Sequence, residues 1–165
     1  TEEIIKYKGP VYMRTGRSPA PQVLEATYKF EIGKGKILKE GNDLSIFACG
    51  VQVSRALQAS EMLRKVGVSA EIINISTIKP LDKELILKSS FKTKAVIVTE
   101  DHSIFGGLCS AISELLIQEN PVPTKFVAVN DTFGESGEPN ELAEKYELDA
   151  SSIVQKALEL VGVKE

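Results

Sequence analysis

The chain has 165 residues, a length typical of one domain. Hydrophobic residues make up 42% and charged residues 26%, as in ordinary globular proteins, which argues against a disordered or fibrous chain. With 20 basic and 23 acidic residues the net charge is -3, so no overall positive field attracts nucleic acid or an anionic membrane surface. We therefore expect neither nucleic acid nor a membrane among its partners.

The first 30 residues differ from the rest of the chain. The segment 9–14, Gly-Pro-Val-Tyr-Met-Arg, predicts a strand, and the residues after it contain prolines and no helical period. A strand without a sheet of its own, followed by a linker, indicates the tail of an upstream domain over 1–30 and a separate domain over 31–165. The chain begins with neither Met nor a signal-peptide pattern, so we expect a C-terminal piece of a cytoplasmic protein.

From residue 31 onward, short apolar runs alternate with longer helical periods, the pattern of an α/β sheet covered by helices. The first of these runs carries lysines on alternate residues, which is typical of an edge strand. The predicted strands lie at 34–39, 43–49, 71–75, 95–100 and 125–129. The predicted helices run from Val51 to just before Gly67, through 84–88, from Gly107 to before Pro121, and through 139–146 and 151–161.

The only histidine, His102, follows the predicted strand 95–100 directly. Open α/β sheets bind their ligands at the carboxyl ends of the strands, so this position is a candidate site. Two interpretations stay open at this point. His102 makes a structural or interface contact, or it transfers a proton with Glu100 or Asp101 as its partner.

Gly106 and Gly107 join the same strand to the next helix. They form a tight turn that needs residues without a Cβ, or their backbone amides bind an anion at the start of the helix. The sequence contains neither of the two glycine-rich nucleotide motifs. The two cysteines form no Cys-x-x-Cys motif, and the segment 133–139 lacks the spacing of a serine nucleophile elbow. We therefore predict no metal ligand and no catalytic residue.

Arg14 and Arg17 follow the predicted strand 9–14. A guanidinium group binds phosphate through two parallel hydrogen bonds, so these residues are candidates for an anion contact. Arginines in loops are also often simply solvated, and the residues alone leave both interpretations open.

The motifs, taken in order, resemble a known family. They are Gly-Pro-Val-Tyr-Met-Arg-Thr-Gly-Arg at 9–17, Ile-Lys-Pro-Leu-Asp at 78–82, Thr-Glu-Asp-His at 99–102, Phe-Gly-Gly at 105–107 and Phe-Gly-Glu-Ser-Gly at 133–137. Their order and spacing resemble the C-terminal domain of transketolase, preceded by the last strand of its pyrimidine-binding domain. The resemblance covers nearly the whole chain.

This resemblance implies a three-layer α/β/α sandwich on a five-stranded mixed sheet whose first strand is antiparallel to the others. It also implies a parent enzyme of the pentose phosphate pathway, a homodimer that transfers a two-carbon ketol unit between sugar phosphates. Its cofactors, thiamin diphosphate and Mg²⁺, are held by upstream domains in the family. We therefore expect the isolated chain to bind no cofactor, to be inactive, and to need the upstream domains or subunit as partners.

The resemblance also assigns one site residue. The family places an arginine that binds the substrate phosphate at the position of Arg17, and Arg14 is the second candidate. Many transketolases have Ser-Arg-Gln where this chain has Gly16-Arg17-Ser18. Deoxyxylulose-phosphate synthase and the β chain of a 2-oxoacid dehydrogenase therefore stay as alternatives. So does a stand-alone regulatory module that binds an anion near His102, Gly106 and Gly107.

Overall fold

The fold is built on one five-stranded mixed sheet. The structure, a computed structural model, describes residues 1–16 and 19–162. The strands are β1 (Lys36–Lys39), β2 (Leu44–Ala48), β3 (Ala70–Asn74), β4 (Val96–Ser103) and β5 (Thr124–Val129). They lie in the order β1-β3-β2-β4-β5, with β1 antiparallel to β3 and the other neighbours parallel. The predicted mixed sheet with an antiparallel first strand is confirmed.

Helices cover both faces of this sheet. The helices are α1 (Glu2–Lys6), α2 (Gln52–Lys65), α3 (Lys83–Thr93), α4 (Leu108–Glu119), α5 (Pro139–Lys145) and α6 (Ala150–Val161). Contacts between elements put α2 and α6 on one face and α3 and α4 on the other, which gives the predicted three layers. Among the helices of residues 1–16 and 19–162, none has the length and apolar composition to cross a membrane.

The core lies in two layers because successive side chains of a strand point to opposite faces. On β2, Leu44 and Ile46 pack against the α2 and α6 layer, whereas Phe47 packs against the α3 and α4 layer. Both faces of β2 are fully buried, which explains its continuous run of apolar residues. All buried members of the two clusters lie between residues 44 and 157, and partly buried side chains on either side of this range, such as Leu38 and Leu160, pack against them.

A buried polar network fastens α3 to the sheet near the start of the strands. Ser45 of β2 lies 2.5 Å from Ser89 Oγ and 2.7 Å from Thr93 Oγ1, both on α3. The Glu71 carboxylate of β3 accepts hydrogen bonds from Ser89 and from the ammonium group of Lys92. A buried carboxylate is tolerated when it is hydrogen-bonded and paired with a charge, as Glu71 is here.

Four details depart from the sequence analysis. The strand predicted at 9–14 does not form, since a strand needs a hydrogen-bonded neighbour and these residues pair with no strand of the described chain. The short helix α1 was not predicted. Helix α3 continues to Thr93 instead of ending at 88, and β4 continues to Ser103 instead of ending at Glu100. β4 gains this extension because Ser103 still pairs with Val129 of β5 across an irregularity in register.

The turn between β1 and β2 yields a test of packing. Gly41 is buried, and a Cβ atom there would overlap the backbone of Ala70 and Glu71. We expect Gly41→Ala to lower the free energy of unfolding by about 2 kcal/mol or more. The backbone of β3 is hydrogen-bonded to β1 and β2, so displacing it to make room for the Cβ atom costs energy. Urea unfolding of the chain measures this quantity.

Gly134→Ala is the matched control for that variant. Gly134 has open space where its Cβ would lie, so we expect a change within about 0.5 kcal/mol. Equal stability of the two variants would contradict the close approach of the Gly41 turn to β3.

Candidate functional site at the carboxyl edge of the sheet

The chain connections diverge between β2 and β4, and we call this point of the sheet edge the crevice. From β2 the chain passes through α2 to β3 on one side, and from β4 it passes through α4 to β5 on the other. The ends of two adjacent parallel strands whose connections diverge in this way form the usual ligand site of open α/β sheets. Cys49 follows β2 at this point, and Glu100 lies opposite on β4.

The side chain of Glu100 fills the start of helix α4. It is 1% exposed, and its two carboxylate oxygens accept hydrogen bonds of 2.8 Å from the backbone N–H groups of Leu108 and Cys109. The first amides of a helix have no partner within the helix and carry a partial positive charge. A carboxylate of the protein thus occupies the place where an anion would bind.

A different structural reason explains why glycine occupies each of the two positions 106 and 107. Gly107 has no room for a side chain, because a Cβ atom there would overlap the carboxylate of Glu100. Gly106 has a φ of 81°, which favours glycine, and its N–H donates to Ser110 Oγ over 2.8 Å. The tight-turn interpretation accounts for both residues. The anion-binding interpretation of Gly106 and Gly107 lacks free amides at Leu108 and Cys109.

His102 lies on the exposed, irregular end of β4. Its Nδ1 is 2.9 Å from the carbonyl oxygen of the adjacent Ser103. Glu100, one of its two proposed proton-transfer partners, is instead bonded to the α4 amides. Asp101 is exposed beside His102. The structure therefore brings His102 to the surface of the carboxyl edge, and its contact role stays a prediction.

The thiols near the crevice are poor nucleophiles. Burial, together with the negative charges of Glu100 and Asp101, raises the pKa of the Cys49 thiol from 9.0 to about 12, although the positive charge of Arg14 opposes this shift. Burial and the Glu100 carboxylate also raise the pKa of the Cys109 thiol. Because the thiolate is the reactive form, neither cysteine is suited to nucleophilic catalysis near neutral pH.

Of the two predicted phosphate ligands, Arg14 lies within the described residues. Its side chain is exposed, and its positive charge lowers the pKa of the Cys49 thiol against the effect of burial. Arg17 lies outside the described residues. The proposed contact of either arginine with a substrate phosphate stays a prediction.

The loop after β5 is a feature whose structural role the sequence analysis missed. Phe133 in this loop is 100% exposed, while its carbonyl oxygen accepts a hydrogen bond of 3.2 Å from Tyr146 Oη. Glu135 forms an ion pair with Lys145 of α5. The sequence analysis considered the motif Phe-Gly-Glu-Ser-Gly as a nucleophile turn and as part of a resemblance. Neither interpretation shows that the Phe133 side chain is exposed.

The described residues do not fit a diphosphate and its metal ion. Within 1–16 and 19–162, no group of three or more His, Cys, Asp or Glu side chains is arranged to hold a metal ion. The α4 amides that could bind a diphosphate are bonded to Glu100. We therefore derive no catalytic step through thiamin diphosphate on this chain.

Comparisons with known proteins agree with this fold. The family model described as "Transketolase, C-terminal domain" matches residues 33–153. The 6-deoxy-6-sulfo-D-fructose transketolase subunit SqwH of Clostridium sp. (strain MSTE9) is 43% identical over 162 residues, covering 98% of this chain and 50% of the relative. An apulose-4-phosphate transketolase subunit of Phocaeicola vulgatus is 40% identical over 159 residues, covering 96% of this chain and 51% of the relative.

Two further matches come from a solved structure and from a different enzyme. The structure described as "Split gene transketolase, inactive beta4 tetramer" superposes with a TM-score of 0.94 at 41% identity, covering 99% of this chain and 54% of that one. The 1-deoxy-D-xylulose-5-phosphate synthase of Heliobacterium modesticaldum is 35% identical over 159 residues, covering 94% of this chain and 25% of the relative.

The fold defines an α/β domain whose five-stranded mixed sheet is covered by helices on both faces. The chain belongs to the transketolase C-terminal domain family. It spans about half the length of the transketolase subunits that it matches.

The Glu100 cap yields a second test. We expect Glu100→Gln to lower the free energy of unfolding by about 2 kcal/mol. The glutamine side chain has the same shape but no charge, and its NH₂ group would face one of the two backbone N–H groups that the carboxylate now binds. Chemical unfolding of the chain measures this change. Asp101→Asn is the matched control: it removes a charge from the exposed neighbour, so we expect little effect. Equal losses in both variants would contradict the capping role.

Proposed function

We propose that this chain is the C-terminal part of an enzyme that transfers a two-carbon ketol unit between sugar phosphates. The observation that carries the proposal is the family match over residues 33–153, together with transketolase subunits that are 40 and 43% identical over nearly the whole chain. The rest of the enzyme, on the same polypeptide or on a separate subunit, supplies thiamin diphosphate and Mg²⁺. The enzyme works as a homodimer of this complete unit in the cytoplasm.

We further propose that Arg17, with Arg14 as the second candidate, binds the phosphate of the substrate. One relative is named for a sulfo-sugar and another for a sugar phosphate, and both of these substrates carry an anionic group. A guanidinium group suits such an anion because it donates two parallel hydrogen bonds and keeps its charge.

The bond between Glu100 and helix α4 favours part of a larger enzyme over a stand-alone module that binds an anion. Such a module would need free donors near Gly106 and Gly107, and Glu100 uses the two amides that follow them. The 1-deoxy-D-xylulose-5-phosphate synthase alternative has relatives at 35 and 38% identity, below the 40 and 43% of the transketolase subunits. We therefore rank ketol transfer first.

The proposal that the cofactors bind to the rest of the enzyme yields a third test. We expect the isolated chain to give no heat of specific binding when it is titrated with thiamin diphosphate and Mg²⁺. The complete enzyme should bind both and transfer a ketol unit from a ketose phosphate. Ketol transfer by the isolated chain would contradict the proposal, and so would pyruvate-dependent synthase activity of the complete enzyme without ketol transfer.

The proposed phosphate contact yields a fourth test. In the complete enzyme, we expect Arg17→Ala to lower kcat/KM for a sugar phosphate by about tenfold or more, since a charge-assisted hydrogen bond contributes about 1.5 to 3 kcal/mol. The loss should be much smaller with an unphosphorylated acceptor. Arg64→Ala is the matched control, because Arg64 is exposed at the far end of α2. Unchanged kinetics in Arg17→Ala would move the assignment to Arg14→Ala, and unchanged kinetics in both would remove it.

A further inference from the structure

Two polar side chains are buried between helix α2 and the sheet without a hydrogen-bond partner. Gln52, the first residue of α2, and Thr99 of β4 are both 0% exposed. Within the part of the chain that the structure describes, neither the amide nitrogen and oxygen of Gln52 nor the hydroxyl oxygen of Thr99 has a partner. A buried polar group without a partner destabilises a fold, and nearly all such groups in native proteins bind another protein group or an ordered water.

The buried face of α2 shows which way Gln52 points. The buried positions Gln52, Ala56, Ala59 and Leu63 recur at the spacing of one helical face. The last three of them belong to the buried cluster that lies between the sheet and the layer of α2 and α6. The Gln52 side chain therefore points from the first turn of α2 toward the sheet.

Thr99 approaches the same place from the sheet. It lies two residues after Ile97 on β4 and pairs with Ala48 of β2, and both of these residues belong to the cluster under α2. Because side chains alternate along a strand, Thr99 points to that face as well. Two backbone hydrogen bonds connect the positions: Cys49 N–H donates to the Thr99 carbonyl oxygen over 3.4 Å, and Gln52 N–H donates to the Cys49 carbonyl oxygen over 3.2 Å.

The unpartnered atoms define the chemistry of a ligand. The Gln52 amide offers both a donor and an acceptor, and the Thr99 hydroxyl can donate or accept. A cation would leave the NH₂ group of Gln52 unpaired, and an anion would leave its amide oxygen unpaired. The backbone N–H groups of Gln52 and Val53 already donate to carbonyl oxygens of the preceding turn, so they offer an anion no donors. The ligand is therefore neutral, and it both donates and accepts hydrogen bonds.

We propose that Gln52 and Thr99 bind a buried water molecule, which bridges the first turn of α2 to β4. Both side chains are sealed from the surface, so the ligand must be small. Buried waters in globular proteins bridge otherwise unpartnered polar groups in this way. The bridge fastens α2 to the sheet, as Glu71 fastens α3 and Glu100 fastens α4. It does not depend on the proposed function.

A crystal structure of the chain, at a resolution that shows ordered waters, tests the bridge directly. We expect density for one water at about 2.6 to 3.2 Å from both the Gln52 amide and Thr99 Oγ1. A direct hydrogen bond between Gln52 and Thr99 would overturn the proposal. Both side chains packed without a water between them would overturn it too.

A double-mutant cycle tests the same bridge in solution. Gln52→Met and Thr99→Val remove the two polar groups separately and keep the side chains close to their original size. Either change leaves the other group without its full set of partners, so we expect each to raise the equilibrium constant for unfolding by about fivefold. The double variant leaves no polar group at the site. We expect its effect to be well below the product of the two single effects. Urea unfolding of the full chain measures all three constants.

Gln58→Met is the matched control, because Gln58 lies on the exposed face of the same helix. We expect it to change the equilibrium constant for unfolding by less than about twofold. If Gln52 and Thr99 had no partner at all, each apolar substitution at these two positions would stabilise the chain, and that result would overturn the bridge. Single effects that simply multiply in the double variant would also overturn it, since the two side chains would then share no partner.

Discussion

The bond between Glu100 and the start of α4 is the interaction on which the carboxyl edge of the sheet depends. It joins the strand β4 to its following helix through two hydrogen bonds from backbone amides. It explains why residue 107 must be glycine, since any side chain there would meet the carboxylate. It also neutralises the amide groups that make the corresponding crevice a ligand site in other open α/β sheets.

A filled crevice changes what this edge of the domain can do. The usual ligand position is closed by the protein's own carboxylate, whereas the loops around it carry exposed aromatic rings on backbones that hydrogen bonds hold in place. The Glu100 carboxylate is hydrogen-bonded inside the domain, whereas the rings of Phe105 and Phe133 are exposed. This edge therefore combines a bonded carboxylate with exposed aromatic rings.

The polar network around Glu71 illustrates the same principle at the other end of the strands. There the buried carboxylate is balanced by Lys92 and by the Ser89 hydroxyl, and the result is attachment of α3 to the sheet. Each of the two buried glutamates therefore fastens one helix of the same layer.

The order of the elements was predictable from the amino-acid sequence because buried strands, helical periods and glycine or proline boundaries are local signals. The five strands and the edge position of β1 could be predicted in this way. Only the tertiary structure decided the partners of Glu100 and the outward position of Phe133. These depend on contacts between segments that the sequence does not show to be neighbours. The missing strand at 9–14 has the same cause, since pairing requires a second strand that local sequence cannot supply.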